Sequence, residues 1–200
     1  MVASPAEESA VRLDPRVDRT REAALCAVRE LLVEEGWDAV TQSQVAQRSG
    51  VGRTTVYRHW PERIDLVREA MDLELSHTRD VTLTGRLRDD LLIALEAIRY
   101  EMIEREGSKF LIAMVARSEW DPEVRELKKV LVERAIEALR RVLTTAVNDR
   151  RLAADVSVDV AVAQLVGPLV MRRLVTDEPL DQPLISGLVD DWLAARGARP

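Results

Sequence analysis

The chain has 200 residues and a formal charge of −6, from 29 Lys and Arg against 35 Asp and Glu. That length supports one or two small domains around a continuous apolar core, and the acidic balance excludes binding to nucleic acid through general basicity. Apolar residues make up 46% of the chain, yet no uninterrupted run approaches the ~20 residues of a membrane span, so the expectation is a soluble protein with no membrane partner.

Residues 1–13, MVASPAEESAVRL, lack the positive start and apolar core of an export signal and read as a disordered tail on a cytoplasmic protein. Beyond them apolar residues recur with helical spacing and no segment alternates with period two, which predicts an all-α chain of about nine helices. Asp14 and Pro15 open the first helix as N-cap and first helical residue, and Gly36 closes it. Ala24, Leu25, Val28, Leu31 and Leu32 form its apolar stripe. Cys26, the only cysteine, reads as a small core residue beside that stripe. One thiol with His59 and His77 supports neither a disulfide framework nor a zinc site.

The second helix is expected to begin at Thr41, because TQSQ puts Gln44 three residues after a threonine cap, and to end near Arg48. Ser49, Gly50 and Val51 then make a turn in which glycine can take the positive φ that other residues resist. A third short helix runs from Gly52 or Arg53 to about His59, and a fourth from Arg63 to about His77. Two short helices joined by a three-residue turn with glycine make a helix-turn-helix, whose second helix enters the DNA major groove. Val45, Ala46, Val51 and Val56 can pack together inside it, leaving Arg53, Thr54, Thr55, Tyr57, Arg58 and His59 outside. Residues 39–61 hold Arg48, Arg53 and Arg58 and no acidic residue, whereas residues 14–68 balance nine basic against nine acidic side chains. The positive field is therefore local, which suits a protein that meets phosphate but is acidic elsewhere.

Residues 78–85 read as a loop. Longer helices follow, from about Arg86 to Glu106, Ser108 to Trp120, Asp121 to Asp149, Asp155 to Val175 and Asp181 to Arg196. In the penultimate one Pro168 removes a backbone hydrogen bond and introduces a kink, while Gly167 admits a close neighbouring backbone. The last helix carries Leu184, Leu188 and Trp192 on one ridge and Ile185, Val189 and Leu193 on the next. So broad a stripe must be covered, either within one subunit or by a second copy.

The run from roughly Arg19 to Met71, AALCAVRELLVEEGW and then TQSQVAQRSGVGRTTVYRHWPERIDLV within it, resembles the TetR family of bacterial transcriptional regulators. Thr41, Gly50-Val51, Val56-Tyr57-Arg58-His59-Trp60 and Arg63 fall on that family's motif positions, with Trp60 where phenylalanine is commoner and Arg63 where lysine is. The resemblance implies an N-terminal helix-turn-helix domain, residues 14–62, and a C-terminal helical ligand-binding and dimerisation domain, residues 63–200. It implies base-edge contacts for Arg53, Thr54 and Thr55, and the fork of Arg53 suits guanine O6 and N7. Tyr57 and His59 stand at phosphate positions, Gln42 and Ser43 at positions that touch backbone or flanking bases, and Arg58 at either. Arg63 stands in the first turn of its helix, where unpaired N–H groups also favour phosphate. Plainer roles are open: packing for Tyr57, a helix cap for His59, a solvated charge for Arg63.

For the C-terminal half the resemblance implies a four-helix dimer interface, assigned here to Val162, Leu169, Leu184, Leu188 and Trp192, with the Gly167-Pro168 kink shaping interface or pocket. It also implies a ligand pocket among the central helices, for which Ile98, Met102, Phe110, Met114 and Trp120 are the candidates. Few polar groups punctuate those helices, so the unknown small-molecule ligand is expected to be apolar. No cofactor or metal is implied. His59 has no acidic neighbour in the motif, and there is no phosphate-binding glycine loop or zinc spacing, which argues against an enzyme. The expected activity is that of a homodimeric repressor on a near-palindromic operator in double-stranded DNA, released by its ligand. An activator, a ligand-independent regulator and an all-α interaction protein with a structural helix-turn-helix are the alternatives.

Overall fold

The computed structural model describes residues 15–76, 81–105 and 107–196. Among them are nine α-helices: α1 Pro15–Glu34, α2 Gln42–Ser49, α3 Arg53–His59, α4 Arg63–Ser76, α5 Leu87–Ile103, α6 Gly107–Ser118, α7 Pro122–Asn148, α8 Val158–Val170 and α9 Gln182–Ala194. The chain is all-α, as its periodicity predicts. The N-terminal tail, the cap expected at Asp14 and His77 lie outside the described residues.

Local chemistry sets most of the boundaries. α1 stops before Gly36, whose φ of 85° reverses the chain into a 3-10 turn over Trp37–Ala39. The Thr41 hydroxyl accepts from the Gln44 N–H at 3.2 Å and caps α2. Asp121 does the same for α7, accepting from Glu123 and Val124 with Pro122 in the first turn, and Asp181 caps α9 through the Leu184 N–H. Asp90, 4% exposed, accepts from the Thr84 N–H and hydroxyl at 2.6 and 2.9 Å and from the Gly85 N–H at 3.0 Å, closing the loop ahead of α5.

Two apolar cores follow from the helix stripes. The first joins Val28, Leu31, Val45, Val56, Trp60, Leu66 and Met71 of the head, α1 to α4, to Phe110 and Met114 of α6 and Val124 and Leu127 of α7. The second holds Leu91, Leu95, Leu139, Leu143, Leu165, Leu169, Ile185 and Val189, from α5, the rest of α7, α8 and α9. With each buried Leu, Ile or Val worth about 1.5–3 kcal/mol, the head is held to α6 and α7 by burial rather than by a linker.

Two expectations are corrected. Cys26 is exposed, because Leu25, Ala27 and Val28 take the inward directions of that turn. The helix expected from Asp155 to Val175 starts after Ser157, whose hydroxyl caps it, and its α geometry ends at Val170. Pro168 offers no N–H to the preceding turn, and a π-helical segment, Met171–Val175, follows it.

Candidate nucleic-acid interface

The interface is built on α2, α3 and the turn between them. The Ser49 hydroxyl donates to the Val45 carbonyl at 2.6 Å and accepts from the Val51 N–H at 3.2 Å, while Gly50 sits at φ 72°. Val45 and Val56 are fully buried against each other's helices, and Trp60 is 3% exposed. With Val56 and Trp60 inward, helical geometry turns Arg53, Thr54, Tyr57, Arg58 and His59 to solvent and leaves Thr55 half-buried. The Trp60 indole donates to Glu69 at 2.8 Å, pinning the end of α3 to α4.

Gln42 and Ser43, expected near the DNA backbone, have structural partners as well. The Gln42 amide donates to the carbonyls of Trp60 and Pro61 at 3.3 and 2.8 Å, tying the start of α2 to the end of α3. The Ser43 hydroxyl lies 3.5 Å from the Tyr57 hydroxyl, which brings these two expected contacts together. Arg63 stands one turn beyond α3, its guanidinium 5.1 Å from the Trp37 ring centroid and 4.0 Å from Asp38. That stacking holds the charge in place at the first turn of α4.

Arg48 differs from the other arginines of the basic stretch. It pairs with Glu34 at 2.8 Å and Glu35 at 2.6 Å, with Glu30 at 3.6 Å, so the end of α1 and the turn after it neutralise it. The hydrogen bond to Glu34 is the main cause that raises its pKa above the usual guanidinium value. Positive charge at the surface of α3 therefore comes from Arg53 and Arg58, a point the charge count over residues 39–61 missed. Forked guanidinium donors beside threonine hydroxyls suit base edges, and phenol and imidazole suit phosphate oxygens. His59 has the Trp60 ring as neighbour, with centroids 5.6 Å apart.

Of the five expected pocket residues, Ile98, Met102 and Phe110 line one cavity of about 110 Å³ with Leu111, Leu131 and Val132. Met114 and Trp120 do not. Met114, one turn beyond Phe110, is fully buried in the head's core, and Trp120, past the end of α6, is 79% exposed and lines a separate groove with Trp37 and Ile112. The cavity also takes Arg29 of α1 and Arg105, neither of which apolar spacing could have picked out.

The expected dimer residues divide too. Val162, Leu169 and Trp192 are buried in the chain's own second core, at 6%, 0% and 6% exposure, because the stripes of α8 and α9 are wide enough for an inner row that meets α5 and α7. Trp192 also donates to Gln164 at 3.1 Å and lies under the Arg196 guanidinium. Leu184 and Leu188 are half-buried. The outer row consists of Val160, Met171 and Val175, at 54%, 51% and 67% exposure, with Ala163, Gly167 and Gly187; of these the sequence had singled out Gly167 alone.

No helix among the described residues is long and apolar enough to cross a membrane. Residues 25–70 match the profile described as bacterial regulatory proteins of the tetR family, and residues 81–192 the profile described as the tetracyclin repressor-like C-terminal domain. An HTH-type transcriptional regulator of Mycobacterium tuberculosis is 29% identical over 180 residues, which cover 89% of this chain and 88% of that one. A DNA-binding transcriptional repressor TetR of Mycobacteroides abscessus is 29% identical over 180 residues, covering 87% and 92%. Among solved structures, the TetR family transcription regulator SCO0332 superposes with a TM-score of 0.66 at 31% identity, over 91% of this chain and 100% of that one. Exposed donors on a packed second helix, a helical body behind them and these matches identify the chain as a member of the TetR family, a helix-turn-helix DNA-binding transcriptional regulator and not an enzyme.

Proposed function

We propose that the chain acts in the cytoplasm as a homodimeric repressor whose operator binding is relieved by a small, mostly apolar ligand. One observation carries this reading: the cavity lies at the seam of the two cores, with Phe110 from the head's core and Ile98 and Met102 from the body's. An occupant that widens the seam changes how the head is seated, and a ligand that prefers one seating shifts operator affinity by that difference. The Mycobacteroides abscessus relative carries the name repressor, and a fold neighbour of 22% identity and TM-score 0.66 is named a flavonoid-responsive regulator.

In this reading residues 14–62 are the DNA-reading unit. Arg53, Thr54 and Thr55 read bases, Tyr57, His59 and Arg63 hold phosphate, Arg58 meets a flanking base or backbone, and Gln42 and Ser43 brace the recognition helix from the backbone side. A second copy covers the outer row of α8 and α9, with half-buried Leu184 and Leu188 at its edge. Two heads then meet half-sites about one helical turn, or a multiple of it, apart in a near-palindrome. Selection of bound duplexes from a random pool tests this. Enrichment of a near-palindrome with salt-sensitive affinity is the expected result, and a pool left unenriched overturns the reading. A reporter that falls silent when the chain is supplied, rather than rising, separates repressor from activator.

A further inference from the structure

α3 is seven residues long, too short to hold its own shape in water, and its start at Gly52 has no side-chain cap. Its direction is therefore set from outside. Val56, in its middle, is fully buried and Trp60, which ends it, is 3% exposed, so the helix rests on one small apolar anchor and one large ring. Apolar contact is non-directional: it holds the helix down without fixing its tilt.

The directional bonds collect at Trp60. On its main chain, the Gln42 amide of α2 donates to the Trp60 and Pro61 carbonyls at 3.3 and 2.8 Å, which uses both N–H groups of that amide. On its side chain, the indole N–H donates to one oxygen of Glu69 in α4 at 2.8 Å, and Arg21 of α1 pairs with the other oxygen. One carboxylate thus joins α3 to α4 and to α1. The Arg21 pair is half exposed and contributes little stability by itself, but it keeps the carboxylate turned toward the indole. From Trp60 back to Arg53 is about 10 Å along the helix axis. A tilt of about 5° at Trp60 therefore carries Arg53 by about 1 Å, enough to break a hydrogen bond to a base edge. The attraction between an arginine and a phosphate changes far less over that distance.

We propose that Glu69 is a positioning residue for sequence reading: by holding the Trp60 indole it fixes the tilt of α3, and so sets how sharply the chain tells its operator from other DNA. The proposal rests on the reading of Arg53, Thr54 and Thr55 as the residues that meet bases. Loss of the indole bond leaves Val56 and the Trp60 ring packed, so the helix stays in place but its tilt is no longer fixed. Base contacts, which need the exact direction, weaken; phosphate contacts do not.

Fluorescence anisotropy of the full chain on the duplex enriched from a random pool, and on a scrambled duplex of the same composition, tests this. The ratio of the two affinities is read at a temperature where thermal melts show every variant folded. Trp60→Phe, which keeps a ring and removes the N–H, is expected to lower that ratio about tenfold, the scale of one base-edge pair, with the scrambled duplex bound as before. Glu69→Leu should lower the ratio as far, and the double variant no further, because all three lack the same bond. Glu69→Gln, whose amide oxygen still accepts from the indole, should keep most of it. If Trp60→Phe and Glu69→Leu shift the melting temperature and leave the ratio unchanged, the inference is overturned and the DNA-reading role of α3 stands. The inference also fails if Glu69→Gln falls as far as Glu69→Leu, since the charge rather than the bond is then at work. A wild-type chain that enriches no duplex, or binds the two alike, overturns the inference and the base-reading assignment together.

Discussion

Arg48, Arg53 and Arg63 are the same residue type within sixteen positions, and their surroundings give them three different tasks. Arg48 is a brace, closed off by Glu34 at the end of α1 and by Glu35 just after it. Arg53 opens α3 exposed, with a fork that on the proposed reading meets a base edge, and Arg63 is held on Trp37 as a fixed charge. Arg53→Ala is expected to cost about 1–3 kcal/mol on the preferred duplex and to relax choice at one base position. Arg63→Ala should weaken every duplex alike and lower the salt slope by about 1. Competition gel shifts on selected and scrambled duplexes over a salt series measure both, and an equal loss on the two duplexes for Arg53→Ala removes its base-reading role. The exposed donor face of α3 was legible in the sequence because it follows from the order of turn, anchor and donor. The pairing of Arg48 was not, because its partners lie on α1 and at the turn that ends it, 13 to 18 residues earlier in the chain.

At the scale of elements, the turn of the helix-turn-helix depends on one backbone conformation. Gly50 has φ 72° with nothing within 4 Å of where a Cβ would stand, so Gly50→Ala meets no clash, only the left-handed backbone cost of about 1–2 kcal/mol. Gly52, two residues on, has φ −58° and open space apart from the Thr55 hydroxyl at 3.9 Å. Urea denaturation should therefore show a clear loss of stability for Gly50→Ala and little for Gly52→Ala; the reverse order would contradict the conformational account. Caps and turns of this kind are readable from sequence, because their energy comes from residues a few positions apart. The π-helical segment after Pro168 is a different case. Proline announces a disturbed helix, but how the chain re-forms its hydrogen bonds depends on what packs around it.

For the whole molecule, α5 and α9 are tied by Arg88 and Asp190, with both carboxylate oxygens engaged at 2.6 and 2.9 Å. The hydrogen bond from Arg88 is the main cause that holds the Asp190 carboxyl below its ordinary range. The folded state then binds fewer protons there than the unfolded one, so this contribution is complete above the unfolded pKa of about 4 and is lost as pH falls through the lower folded value. Thermal melts should show wild type ahead of Asp190→Asn near neutrality and the gap closing in acid; a gap that widens in acid would contradict the sign. The covering of the last two helices is tested by a pair of variants. Val160→Asp, on the outer row, is expected to leave the chain folded but monomeric by sedimentation, whereas Val162→Asp, in the core, should unfold it by several kcal/mol. A Val160→Asp chain that still sediments as a dimer would place the interface elsewhere.

The sequence by itself determined the helices, the cap at Thr41, the helix start at Asp121 and Pro122, the glycine turn and the exposed donors on α3. Each of these depends on neighbours a turn or two away, so periodicity and local hydrogen bonding specify it. Only the tertiary structure decided which row of α8 and α9 faces inward, that Met114 belongs to the head's core and Trp120 to an outer groove, that Cys26 faces water, and that Arg29 of α1 reaches the seam cavity. An apolar stripe states that a face must be covered; its width and the helices packed beside it settle by what, and that competition for the same buried surface involves residues far apart in the chain.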